Sequence, residues 1–273
     1  MQQIQLTHGR ETLHGVSTNL ENAHGTVVYV HGTGGNYHEH SFIDASADLY
    51  TNSGRNFLAV NVPGHDATAF DESFDDSIAA LDGWITQDAP TGPLVLQGHS
   101  SGALKMLRYI QRGIHAHRVE RIVLLAPFDV VVFYGGPTEE GRRARAAELD
   151  ALIATSGSQT PVPPELFDAW PVSAGTMREA ITEEGPWDQF PVRKRLLGSV
   201  VEDIEVPVLV AIGSQDLDEL IPQESAEFFD PIAICKMAEE LPNVTTALID
   251  GAAHSFTNCE DILIKSIQEW LIN

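Results

Sequence analysis

The sequence predicts a doubly wound, mostly parallel α/β sheet with a helical insertion after its sixth strand. Three observations carry that expectation. Short, β-branched, continuously apolar runs such as Thr26–Val30 (TVVYV) and Arg121–Ala126 (RIVLLA) suit strands covered on both faces. Helix-length segments alternate with these runs, which is the pattern of βαβ units. Between Phe128 and Glu205 the rhythm stops, and helix-forming stretches separated by Gly- and Pro-rich joints take over.

The elements follow in order. Gln3–His8 and Thr12–Thr18 alternate apolar and polar residues and predict an antiparallel hairpin. Thr26–Val30 is a buried strand that runs into His31-Gly32-Thr33-Gly34-Gly35. A helix over Ser41–Ser53 stops at Gly54, and Asn56–Val62 (NFLAVNV) is a second buried strand closed by Pro63-Gly64. A helix over Ser73–Gln87, a strand over Leu94–Gln97, a helix from Ser101 to about Gln111 and the Arg121–Ala126 strand continue the series. In the insertion, Thr138–Ala154, Ser173–Glu184 and Val192–Val201 predict helices. A strand over Val206–Ile212, one long helix over Gln223–Glu240, a strand over Thr245–Asp250 and a helix over about Glu260–Leu271 close the chain. The expected division is a core of residues 1–128 and 206–273 with an insertion over 129–205.

Composition narrows the function classes. The chain has 273 residues, 43% of them apolar, which suffices for one large core and excludes collagen-like or disordered architecture. Its formal net charge of −23 repels phosphate backbones and anionic headgroups, so neither nucleic acid nor a membrane surface is an expected partner. Two cysteines, Cys235 and Cys259, form no disulfide framework, and no Cys/His cluster has zinc spacing. No apolar run approaches the roughly 18–20 residues of a membrane helix, and no signal peptide is visible. A cytoplasmic protein, monomeric or homodimeric, is the expectation.

The chemistry centres on Gly98-His99-Ser100-Ser101-Gly102, a G-x-S-x-G between a strand and a helix. Such a turn holds the serine in a strained conformation with Oγ exposed, and the helix N-terminus points N–H groups at any negative charge formed there. A serine hydroxyl is a weak nucleophile and needs a general base with a group to orient it. Asp216, in Gly213-Ser214-Gln215-Asp216 beyond one strand, and His254, in Gly251-Ala252-Ala253-His254 beyond the last, supply both in the order Ser, Asp, His. All three fall at carboxyl ends of parallel strands. The backbone N–H groups of Thr33 and Ser101 are the candidate oxyanion donors.

On VVYVHGTGG, NVPGHD, QGHSSG, GSQD and GAAHSF the chain resembles the α/β-hydrolase superfamily, and the likeness runs nearly end to end. The resemblance implies a serine hydrolase acting on a small-molecule carboxylic ester through an acyl-enzyme, with no cofactor or metal required. Ser100 is similar to the nucleophile, His254 to the base and Asp216 to the orienting acid, and residues 129–205 resemble a lid. A thioesterase, a lactonase, a C–C bond hydrolase, a perhydrolase and a non-catalytic binding protein on the same fold are the alternatives.

Other residues have structural readings. His99 reads as packing, His65 and Asp66 as a structural loop pair, and His31 as a residue that fixes the oxyanion loop. Asp218 and Asp129 are fallback acids. Arg142, Arg143 and Arg145 read as a solvated face paired with Glu139, Glu140 and Glu148. Trp170 and Trp187 either line an acyl pocket or form a small core, and in the first case trimming Trp187 alters chain-length preference far more than stability.

Overall fold

The computed structural model describes residues 1–194, 204–216, 221 and 223–272. Strand β1 (Gln2–His8) and β2 (Glu11–Ser17) form the expected antiparallel hairpin, and β2 then pairs antiparallel with β4 (Asn56–Val60). From there the sheet is parallel. Strand β3 (Thr26–Val30), β5 (Leu94–His99), β6 (Val119–Leu125), β7 (Val208–Gly213) and β8 (Val244–Ile249) complete eight strands in the order β1-β2-β4-β3-β5-β6-β7-β8. Every residue of β3, β5 and β7 is buried, as their unbroken apolar runs require. The edge strand β8 is only partly covered, which is why its threonines are tolerated.

Helices cover both faces. Helix α1 (Phe42–Asn52) and the last helix, over Glu260–Ile272, pack on one face through Phe42, Ile43, Ala47 and Tyr50 against Leu263, Ile267 and Trp270. Spacings of three and four residues put each set on one helical stripe. Helices α2 (Phe74–Asp88) and α3 (Ser101–Arg112) lie on the other face with the larger core. The chain passes from β3 through α1 to β4 on one side, then through α2 to β5 on the other side of β3. The sheet therefore reverses its winding beside β3, and a crevice opens at the carboxyl ends of β3 and β5.

Residues 129–194 carry helices α4 (Val130–Gly135), α5 (Glu139–Ser156) and α6 (Ala174–Ala180). Helix α4 departs from the expectation. Its sequence, VVVFYG, is β-branched, but Asp129 accepts a hydrogen bond from Val132 N and caps the turn. The expected helix over Ser173–Glu184 ends early, at Ala180. Val192–Lys194 is a single 3-10 turn, and the rest of the helix expected to Val201 lies outside the described residues.

The long helix expected over Gln223–Glu240 is in fact two pieces. A 3-10 turn, Gln223–Phe228, is followed by α7 (Pro231–Ala238). Pro231 at the first turn has no N–H to continue a helix from before it, and Asp230 caps the new start through Ile232 N. The closing helix is α8 (Glu260–Ile272).

Trp187 is fully buried, stacked on Phe74 at 4.2 Å between centroids, and its indole N–H donates to Glu179 at 3.0 Å. It is a core residue joining this segment to α2, so the expected effect on chain length does not apply to it. The arginine pairings also differ from the expectation. Arg143 does meet Glu139, but Arg142 binds Glu183 at 3.0 Å and Arg145 donates to the Tyr134 carbonyl at 2.9 Å. Two of the three thus tie α5 to neighbouring elements.

Candidate active site

Four loops meet at the crevice. The first follows β3, where Gly32 approaches so closely that a Cβ there would lie 2.8 Å from the Ser100 Cβ. The second is the β5–α3 turn. Ser100 has φ +58° and ψ −126°, in the strained positive-φ half of the map where non-glycine residues are rare. Its backbone is held there by Ser100 N donating to Leu125 O at 2.8 Å and by close packing, since a Cβ on Gly98 would run into the backbone of Gly102. The third element is the pair of loops beyond β7 and β8, where Gly213 leaves room for the Ala252 backbone.

These loops align Ser100, His254 and Asp216. His254 Nε2 lies 2.9 Å from Ser100 Oγ, and Nδ1 lies 2.5 Å from Asp216 Oδ1. An ionised carboxylate only accepts, so Nδ1 carries the proton and Nε2 offers a lone pair to the serine hydroxyl. Asp216 is 6% exposed, whereas Ser100 and His254 remain partly open to the crevice. Thr33 and Ser101 are also adjacent, with Thr33 Oγ1 donating to Ser101 Oγ at 2.9 Å. Ser101 is the first residue of α3, where the first-turn amides have no intrahelical acceptor.

A family model described as the alpha/beta hydrolase family matches residues 27–259. The chain belongs to the alpha/beta hydrolase family. Among solved structures, this alpha/beta hydrolase is similar to Est1E from Butyrivibrio proteoclasticus with ferulic acid bound, at TM-score 0.66 and 16% identity over 98% of each chain. It is similar to alpha/beta hydrolase domain-containing protein 10 from mouse, at TM-score 0.67 and 15% identity over 99% of this chain and 98% of that one. It also resembles a soluble variant of monoglyceride lipase from Saccharomyces cerevisiae in complex with a substrate analog, at TM-score 0.67 and 14% identity, covering 98% and 94% of the two chains. No curated protein matches it.

The remaining sequence candidates fall around the Ser100–His254–Asp216 cluster. His31 is fully buried; its Nδ1 donates to Gly32 O at 2.7 Å and its Nε2 accepts from Val62 N at 3.3 Å. Burial, reinforced by the Lys105 charge, lowers its pKa to about 3, so it sits in the loop as a neutral strut. His65 bridges Glu11 and Asp66 at 2.9 and 3.0 Å, outside the Ser100–His254 chain. Asp129, the fallback acid after β6, is spent on α4 and on Arg193, which it holds at 2.8 Å. Asp218 lies outside the described residues.

Three features were not anticipated. His99 is more than packing, because its Nε2 donates to the His254 carbonyl at 2.8 Å and its ring centroid lies 5.0 Å from that of His254. Behind Thr33, Lys105 and Glu72 form an ion pair at 2.7 Å with both side chains fully buried. Burial raises the Glu72 carboxyl above its usual range, against the opposing charge of Lys105. An aromatic wall begins at Phe128, 6.3 Å from His254, and continues through Phe133 to Trp170, stacked on Phe133 at 5.6 Å. Phe167 and Phe229 flank it. An aromatic mid-segment tryptophan was the available signal; its position beside the site was not.

Among the described residues, no helix is long and apolar enough to cross a membrane.

Proposed function

We propose that this alpha/beta hydrolase cleaves a carboxylic ester of a small molecule, with Ser100, His254 and Asp216 as its triad. The observation that carries the reading is the hydrogen-bonded chain from Asp216 through His254 to Ser100 Oγ, ending on a serine strained at the head of α3. His254 Nε2 removes the hydroxyl proton as Oγ attacks the carbonyl carbon, and the oxyanion forms against the Thr33 and Ser101 amides. The tetrahedral intermediate collapses with His254 returning the proton to the leaving alcohol. Water, deprotonated by the same nitrogen, then releases the acid and frees Ser100. Asp216 fixes the imidazole tautomer and stabilises its cationic form.

Residues 129–205 serve as the lid, and Phe133, Phe167 and Trp170 offer an apolar aromatic face beside His254 for the acyl or alcohol portion. The likeness to a monoglyceride lipase in complex with a substrate analog supports an ester as substrate.

Incubation of purified protein with a fluorophosphonate probe, followed by peptide mass spectrometry, tests the reading. The adduct is expected on Ser100 and absent from folded Ser100→Ala. An adduct elsewhere, or ester turnover retained by Ser100→Ala, would refute it. A panel of esters, thioesters and lactones, with the same variant as background, then reads the leaving group.

A further inference from the structure

We propose that Glu39, His40 and His99 form a binding site for a divalent transition-metal ion of the zinc type, set beside the Ser100–His254 chain. His40 Nε2 lies 3.1 Å from His99 Nδ1 and 3.0 Å from Glu39 Oε1, and the three ligand atoms all fall within 4.8 Å of one another. Metal–ligand bonds of about 2.0–2.2 Å, opened at about 90–110°, hold neighbouring ligand atoms roughly 3.0–3.4 Å apart. The two spacings from His40 match that geometry, and the third, between Glu39 and His99, lies within 4.8 Å and closes as the ligands gather on an ion.

Proton counting favours a cation at this point. His99 Nε2–H is committed to the His254 carbonyl, so His99 Nδ1 presents a lone pair to the cluster. The Glu39 carboxylate presents lone pairs as well. His40 Nε2 carries at most one proton in any protonation state, yet faces both acceptors. A metal ion satisfies all three atoms together. The bond from His99 to a backbone carbonyl is the kind of outer-sphere contact that fixes the tautomer of a ligating imidazole.

Two further features point the same way. The Tyr29 hydroxyl is buried with no hydrogen-bond partner among the described residues, and its ring packs on Phe42, which in turn packs on His40 and His99. Glu39 is exposed and a surface cleft lined by Tyr37, His38 and Ile43 opens on His40, giving an ion access. Two imidazoles and one carboxylate suit zinc, nickel or copper over magnesium or calcium, whose ligands are oxygens.

The site touches both halves of the catalytic arrangement. The Glu39 carboxylate occupies the space a Cβ at Gly35 would fill, on the oxyanion loop, while His99 holds the His254 carbonyl and precedes Ser100. An ion that draws the three ligands together therefore shifts the oxyanion loop against the base. This coupling rests on the proposed hydrolase reading; the binding itself does not.

Isothermal titration of chelator-stripped full-length protein with Zn²⁺, alongside Mg²⁺, reads the binding directly. One Zn²⁺ per chain is expected at about micromolar Kd, weakened on the order of 100-fold in His40→Ala and in Glu39→Gln, with folding checked by circular dichroism. Absence of stoichiometric Zn²⁺ binding, equally tight Mg²⁺, or affinity unchanged in both folded variants would overturn the site. Fluorophosphonate labelling of Ser100 is expected to slow severalfold on Zn²⁺ addition and to lose that response in Glu39→Gln. Labelling indifferent to bound Zn²⁺ would overturn the coupling while leaving the site, and no labelling without metal would count against the hydrolase reading alone.

Discussion

His31→Gln makes the cost of a neutral buried histidine measurable. In the folded chain His31 is fully buried and its pKa is lowered to about 3, from an ordinary value of 6.5. Between those values the unfolded chain binds a proton that the folded chain refuses. Its contribution is therefore fully present above pH 6.5 and is lost as pH falls toward 3. Each pKa unit is worth about 1.4 kcal/mol, so His31 removes about 2.5 kcal/mol of stability between pH 7 and pH 4.5. Gln is neutral throughout and still offers an amide donor and acceptor to the Gly32 carbonyl and the Val62 amide. At pH 7 the variant is expected to be less stable than wild type by about 1–2 kcal/mol, for less well-aimed hydrogen bonds. On acidification wild type loses the additional stability and the variant does not, so the two curves converge and cross. Urea unfolding at half-unit pH intervals from 7 to 4.5 reads this directly, and because His99 and every carboxylate are common to both proteins they cancel in the difference. Curves that stay parallel within about 0.5 kcal/mol would refute the claim that His31 is held neutral by burial.

The other perturbations act on packing, charge and the proposed triad. Lys105→Met leaves Glu72 buried without its partner and is expected to cost about 3–5 kcal/mol in urea unfolding, while Lys105→Met with Glu72→Gln recovers much of that loss. Trp187→Ala empties a fully buried site stacked on Phe74 and is expected to cost about 3–5 kcal/mol, with the ester preference of the surviving folded fraction unchanged. Asp216→Asn keeps the size of the side chain but disturbs the His254 tautomer, and kcat is expected to fall on the order of 10⁴-fold with KM little changed.

Much of the fold could be read from local runs because the sheet is buried on both faces. TVVYV, LVLQ and RIVLLA need no knowledge of their partners to be recognised as strands. The Ser100 turn was equally legible, since its glycines answer to close backbone approaches at that very turn. What escaped depends on partners far along the chain. Helix α4 has the composition of a strand, and its start is fixed by Asp129, whose carboxylate also takes the backbone N–H of Arg193, 64 residues away. Lys105 sits in a helix where lysine ordinarily faces water, and only the arrival of Glu72 from before α2 makes its burial tolerable. His99 occupies an unconstrained position of the G-x-S-x-G motif, and its bond to the His254 carbonyl spans 155 residues. Periodicity carries no record of such pairs.

The loop after β3 is consequently fixed by polar groups on two sides. On one side it has the neutral His31, Lys105 and Glu72, and on the other the Glu39 carboxylate over Gly35. Each of these costs desolvation or packing freedom that an apolar residue would not. The strain at Ser100, of order 1–3 kcal/mol, persists only where its surroundings over-determine it. Here the restraint is backbone, through the Leu125 carbonyl and the contact between Gly98 and Gly102. Gly98→Ala thus forces that contact apart without altering a reacting atom. If the strain positions Oγ, fluorophosphonate labelling falls by orders of magnitude in a protein whose His254 and Asp216 are intact. Near-normal labelling would mean that the histidine alone, and not the turn, sets the nucleophile in place.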